Sequence, residues 1–195
     1  QMVTLKKNGR GVSSVEYECV NAPDLAQTFV VTCAALDIPF HFKGLSALKI
    51  KETDRISALK TEMLKLGYVI HDANDSELYW DGERCEPNLE AGIDTYEDHR
   101  MALAFAPYAL KTDGLIINNP QVVTKSYPKF WKDLKHVGFN IDTLDFELPG
   151  ISYIKLRFLI LVLLESYSVI LLILTPPHDP VFSVIPVLSV VWQDE

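Results

Sequence analysis

Asp24, Lys49, Lys51, Glu52, Arg55, Arg100 and Lys125 have the types and placement to hold a small anion and move its protons. Lys49, Lys51 and Arg55 crowd the stretch LKIKETDRISALK, residues 48–60, which reads as the opening of an amphipathic helix. A helix start carries roughly half a positive charge, so each exposed cation there costs about 0.3–1 kcal/mol. Arg100 repeats the oddity in the first turn of a later expected helix, and Lys125 stands just before another. Free N–H groups, dipole and side-chain charge together make such places anion sites. If the helices pack side by side with their starts at one end, Asp24 and Glu52 arrive there too, supplying what proton transfer to and from a bound anion requires.

Each residue also has a plainer reading. Glu52, Asp54 and Asp98 are ordinary first-turn acids, and Lys51 with Arg55 makes a solvated i,i+4 pair. His99 follows an expected cap and is a further site candidate, whereas His41, His71, His136 and His178 have no partners at ligand spacing. No metal site is signalled. Phe105, Tyr108, Phe130 and Trp131 read as core rather than as a binding platform.

The elements that must position these groups alternate in type. Helices are expected over residues 23–36, with Pro23 in the first turn, and over about 52–66, where Ile56, Leu59, Met63 and Leu66 form an apolar stripe stopped by Gly67. Two more are expected over 98–110, bent or shortened by Pro107, and over 127–138, closed by Gly138. Short β candidates lie at 38–44, 68–72, 77–81 and 114–119, with a hairpin turn at 74–76. The pattern is mixed α/β with short strands. Neither GxGxxG nor GxxxxGK[ST] occurs, so both standard nucleotide loops are missing.

Composition narrows the partners. A net charge of -8 over 195 residues argues against nucleic acid or an acidic membrane surface, so an anionic ligand must be held by a local cluster. Cys19, Cys33 and Cys85 form no CxxC pair, and no basic-then-apolar leader stands at the start, which points to a reduced, cytoplasmic protein. The texture changes at about residue 150. Residues 156–174 are almost all apolar and long enough to span a bilayer. Their insertion is worth roughly -4 to -7 kcal/mol against about +2.5 to +3.5 for Glu165. A marginal membrane helix therefore competes with a frame or gene-boundary artefact near Gly150, and the second is the favoured expectation. The chain divides accordingly into residues 1–149 and an unrelated apolar tail, 150–195.

KIKETDRISALKTEMLKLG at 49–67 resembles the signature of 5-enolpyruvylshikimate-3-phosphate synthases, the 3-phosphoshikimate 1-carboxyvinyltransferases. APDLAQT at 22–28, TYEDHRMALAFA at 95–106 and VVTKSYPKFW at 122–131 match further family motifs in the family's order. The resemblance covers residues 1–146, roughly the last third of such an enzyme. It implies a fold of βαβαββ units, parallel helices backed by short-stranded mixed sheets, in two similar domains with the site between them. It also implies transfer of the carboxyvinyl group of phosphoenolpyruvate to the 5-hydroxyl of shikimate 3-phosphate, releasing phosphate, without metal or organic cofactor. By motif match Asp24 is the base at the hydroxyl, Lys51 lies with Asp24 beside shikimate 3-phosphate, and Glu52 exchanges the proton at the methylene carbon. Arg55 and Arg100 grip the carboxylate of phosphoenolpyruvate, and Lys125 its phosphate.

The chain departs from the family at Ala47, where an Asn is frequent, and in lacking the first domain, which the resemblance makes its missing partner. Two other readings stay open: the sibling enzyme that uses UDP-N-acetylglucosamine, and a non-catalytic, membrane-tethered remnant.

Overall fold

The structure, a computed structural model, describes residues 2–7, 11–144, 153–158 and 188–193. Strand β1 (Met2–Lys7) pairs antiparallel with the strand Leu188–Gln193 as a two-stranded ribbon. The rest is one motif built twice.

The first copy runs β2 (Val15–Glu18), α1 (Ala26–Ala35), β3 (Phe40–Lys43), α2 (Arg55–Lys65), β4 (His71–Ala73) and β5 (Glu77–Trp80). Its sheet has the order β2-β3-β5-β4, with β2 and β3 parallel and the other pairs antiparallel. In the second copy Ile93 stands for the first strand through a parallel bridge to Ile117. Then come α3 (His99–Phe105), β6 (Leu115–Asn118), α4 (Phe130–His136), β7 (Phe139–Leu144) and β8 (Tyr153–Phe158), in the sheet order β6-β8-β7. First strand beside second, second beside fourth, fourth beside third: the βαβαββ expectation is met in both copies.

Strand β8 lies beyond the compositional boundary expected at residue 149, yet it is the middle strand of its sheet, in register with both β6 and β7. Its Ile154 and Leu156 point into the core. Apolar alternation there is a strand signal that the longer apolar run conceals. Of the stretch considered as a membrane helix, residues 156–158 therefore belong to a strand, and 159–174 lie outside the described residues. No helix among the described residues is long and apolar enough to cross a membrane.

Each α-helix of a parallel βαβ connection starts beyond the carboxyl end of a strand, which is where open α/β sheets place their ligands. α1 is buried on almost every side, through Phe29, Val30, Val31, Cys33 and Ala34, as an apolar helix must be, and packs against α2 and α3. α2 buries Ile56, Leu59 and Met63, the expected stripe. Gly67 ends it at φ +89, in space where a Cβ would come within 3.0 Å of the Cys85 carbonyl oxygen. Pro107 shortens α3, whose continuation, Ala106–Leu110, is a 3-10 helix. The 74–76 hairpin turns through Asn74 and Asp75, both at positive φ. Strands β2 and β7 have no counterpart among the strands expected from the sequence.

Candidate active site

Asp24 lies in a 3-10 turn, Pro23–Leu25, that leads into α1. α2 starts at Arg55 and not at Glu52. Asp54, in extended backbone, is its cap and accepts from the amides of Ile56 and Ser57, both at 3.1 Å, so α2 cannot extend back to Glu52. Lys49 and Lys51 consequently precede the helix, in and after the 3-10 turn Ser46–Ile50. The conflict with the helix dipole expected for them does not arise. Lys49 pairs with Asp75 and takes no part in the cluster.

Asp24, Lys51, Glu52, Arg55 and Arg100 meet, and Lys125 lies beside them on the Glu97 carbonyl. Arg55 is 1 % exposed, and its guanidinium is held on two edges. On the inner edge Nε donates to Asp98 Oδ2 at 2.6 Å and Nη2 to Oδ1 at 3.3 Å. On the outer edge Nη1 donates to Asp24 Oδ1 and Nη2 to Glu52 Oε2, each at 2.7 Å. Arg100, the second residue of α3, reaches Asp24 Oδ2 through Nη2 at 3.2 Å and the Asp24 carbonyl through Nη1 at 3.3 Å. Lys51 Nζ stands 3.4 Å from Asp24 Oδ1. Lys125, at the end of the 3-10 helix Pro120–Lys125, donates to the Glu97 carbonyl at 3.0 Å, one residue before Asp98.

From the sequence Asp98 reads as an ordinary first-turn acid. It does cap α3, accepting from the Arg100 amide at 2.9 Å, but it is also fully buried and is Arg55's two-point partner. One carboxylate thus fixes one arginine directly and the helix start that carries the other. The signal available was its spacing before Arg100, and a cap and a buried ion pair look the same at that spacing.

Electrostatics follow from these contacts. Burial raises the Asp24 carboxyl, but Arg100, Arg55 and Lys51 together outweigh it and hold it below the usual carboxylate range. A hydrogen bond from its own backbone amide holds Glu52 low against partial burial, with help from Arg55. Burial also lowers His99 and so favours its neutral ring, whose Nδ1 is buried with no hydrogen-bond partner among the described residues. Burial pushes the thiols of Cys19 and Cys33 up to about 12. Cys19 and Cys33 are buried, while Cys85 is half-buried.

A carboxyl lowered on folding stabilises the protein above its unfolded pKa, and that contribution is lost as pH falls through the folded value. Stability should therefore fall below roughly pH 4. Asp24→Asn is expected to reduce the slope of that acid limb, as read from urea midpoints at several pH values. An unchanged slope would mean that the three cations do not act on Asp24.

The architecture and this cluster define a class: an α/β protein of βαβαββ units that gathers cations and carboxylates suited to acid–base work at its helix starts. The family model of EPSP synthase (3-phosphoshikimate 1-carboxyvinyltransferase) matches residues 2–134, and the chain belongs to that family. A 3-phosphoshikimate 1-carboxyvinyltransferase of Bacteroides fragilis (strain YCH46) is 61% identical over 139 residues, which cover 71% of this chain and 34% of the relative. Enzymes of the same name from Clostridium novyi (strain NT) and Rhizobium etli (strain CIAT 652) are each 36% identical, over 141 and 117 residues. These cover 71% and 59% of this chain, and 31% and 28% of the relatives. The chain thus spans about a third of the length of the curated relatives it matches.

Proposed function

We propose that this segment forms one wall of an active site that transfers the carboxyvinyl group of phosphoenolpyruvate to the 5-hydroxyl of shikimate 3-phosphate. The observation that carries this reading is the outer edge of Arg55. Its Nη1 and Nη2 are held by two separate, part-exposed carboxylates, Asp24 and Glu52. Those are the two positions that one bidentate ligand carboxylate takes on a guanidinium. The carboxylate of phosphoenolpyruvate displaces both, with Arg100 beside it, while Lys125 takes the phosphate and Lys51 faces shikimate 3-phosphate.

Displacement also readies the chemistry. A carboxyl held low by three cations is a weak base, and release from Arg55 raises both Asp24 and Glu52 toward a useful range. Asp24 takes the proton of the 5-hydroxyl as its oxygen bonds to C2 of phosphoenolpyruvate. Protonated Glu52 gives a proton to C3, which becomes a methyl group. In the elimination Glu52 takes a proton back from that methyl as the C–O bond to phosphate breaks, and the Asp24 proton leaves with the phosphate. Buried Asp98 keeps the inner edge of Arg55 fixed throughout.

The rest of the enzyme supplies the opposite wall, and a cytoplasmic location belongs to the same proposal. The test is a chimera in which this segment replaces the matching third of the Bacteroides fragilis enzyme. Phosphate release is expected with shikimate 3-phosphate and not with UDP-N-acetylglucosamine, and the reverse preference would select the sibling reaction. The 195-residue chain alone is expected to release no phosphate above background, since half the groups around the substrates are missing. It should still bind phosphoenolpyruvate weakly, more weakly as salt rises and more weakly again as Lys125→Ala. Binding indifferent to both salt and Lys125 would remove Lys125 from the site.

A further inference from the structure

We propose that Tyr96, through its hydroxyl on Glu62, is a positioning residue for the anion site, latching a strained loop whose next residues hold Lys125, Arg55 and Arg100. The proposal rests on the function proposed for that site, since the groups positioned are those it names.

Glu62 is 0 % exposed and lies two turns beyond Arg55 on the same inward face of α2. A buried carboxylate is tolerated only when its oxygens are satisfied, and here both are. Oε2 accepts from the Asp94 amide at 3.0 Å and stands 2.8 Å from Lys65 Nζ. Oε1 accepts from the Tyr96 hydroxyl at 2.8 Å. Lys65 and the Asp94 amide hold the stretch only as far as Asp94. Of the hydrogen bonds Glu62 makes among the described residues, the Tyr96 bond is the one that reaches past Asp94.

The residues after Asp94 need holding. Tyr96 and Glu97 sit at φ +52 and +56, successive left-handed residues of which neither is glycine. Such backbone persists only where surrounding contacts over-determine it. The turn closes through the Asp98 amide on the Thr95 carbonyl at 2.8 Å. It delivers the Glu97 carbonyl to Lys125 and the Asp98 carboxylate to Arg55 and the Arg100 amide. α2 therefore grips one short stretch at two points, Asp98 through Arg55 and Tyr96 through Glu62, with the strained pair at and after the second point. Partial burial and the Glu62 carboxylate both push the Tyr96 phenol up, so the hydroxyl keeps its proton and remains a donor.

The test is Tyr96→Phe in the 195-residue chain, with amide exchange read from NMR spectra and phosphoenolpyruvate affinity from titration. Loss of one hydrogen bond to a charged acceptor should speed exchange at the Asp98 and Arg100 amides about ten- to a hundred-fold. The amides of Leu59 and Met63, inside α2, should not change. Affinity for phosphoenolpyruvate should fall, and Tyr96→Phe combined with Lys125→Ala should cost less than the sum of the two separate losses, because residues that act through one another are not additive. Unchanged exchange at Asp98 and Arg100 would overturn the latch, as would a rise shared equally by Leu59 and Met63, which marks general loosening. Effects of Tyr96→Phe and Lys125→Ala that simply add would overturn its positioning role. Faster exchange in a chain that binds neither phosphoenolpyruvate nor inorganic phosphate would instead overturn the functional reading and leave the latch standing.

Discussion

Arg55→Gln is expected to destabilise the ligand-free chain by about 3–5 kcal/mol, as breaking a buried ion pair does when one charge is left behind. The sequence suggests the opposite sign. A cation in the first helical turn opposes the dipole, and removing it should gain about 0.3–1 kcal/mol where the residue is exposed. Burial decides between the two. Arg55 is 1 % exposed and its inner edge neutralises Asp98, which is 0 % exposed and has nowhere to turn for solvent. Glutamine keeps part of the side chain's bulk but supplies no charge and cannot reproduce two contacts to Asp98 together with one each to Asp24 and Glu52. Asp98 is then left buried with the Arg100 amide in place of a charged partner, and that cost exceeds the dipole term. Urea unfolding at pH 7 measures the loss directly. A midpoint that stays put or rises would mean that Asp98 finds another partner and that the buried pair contributes little. Arg55→Lys should fall between, since it keeps the charge and loses the planar fork.

The same pair shows what could be read from the sequence and what could not. Helix periodicity, the stop at Gly67, the bend at Pro107 and the left-handed hairpin at Asn74 and Asp75 are local signals, and the structure carries each of them. The gathering of Asp24, Lys51, Glu52, Arg55 and Arg100 was also legible, because cations at helix starts need a common reason. The start of α2 was displaced by three residues, since Asp54 and Glu52 are equally plausible first-turn acids until the cap geometry is known. Asp98 and Glu62 were missed for a deeper cause. A buried charge is marked only by its partners, and those lie 43 residues away for Arg55 with Asp98 and 34 for Glu62 with Tyr96. Strand β8 is hidden differently, since its second half, residues 156–158, heads a long apolar run whose composition suggests another class of structure.

Glu52→Gln, placed in the chimera with the Bacteroides fragilis relative, is expected to slow the chemical step by about two to four orders of magnitude, the usual share of a positioned acid–base group. Glutamine has nearly the same size and can still accept a hydrogen bond from Arg55 Nη2, where Glu52 stands at 2.7 Å in the ligand-free chain. It cannot give C3 of phosphoenolpyruvate a proton or take one back. Substrate binding should change little, and in the direction of tighter binding, because the ligand carboxylate no longer competes with a charged group for that edge of Arg55. The expected pattern is therefore a large fall in kcat with an equal or lower KM, which marks a group acting in the transition state and not in ground-state binding. Exchange of the methylene protons of phosphoenolpyruvate with deuterated solvent should fall in step with kcat. Full exchange with slow turnover would assign C3 protonation to another group, His99 first, whose Nδ1 lies buried without a partner among the described residues. Turnover near that of the unsubstituted chimera would return Glu52 to the role of an acid ahead of a helix. In that case Arg55 would be held by Glu52 for stability alone, and the exchange of carboxylates on its outer edge would have no part in the reaction.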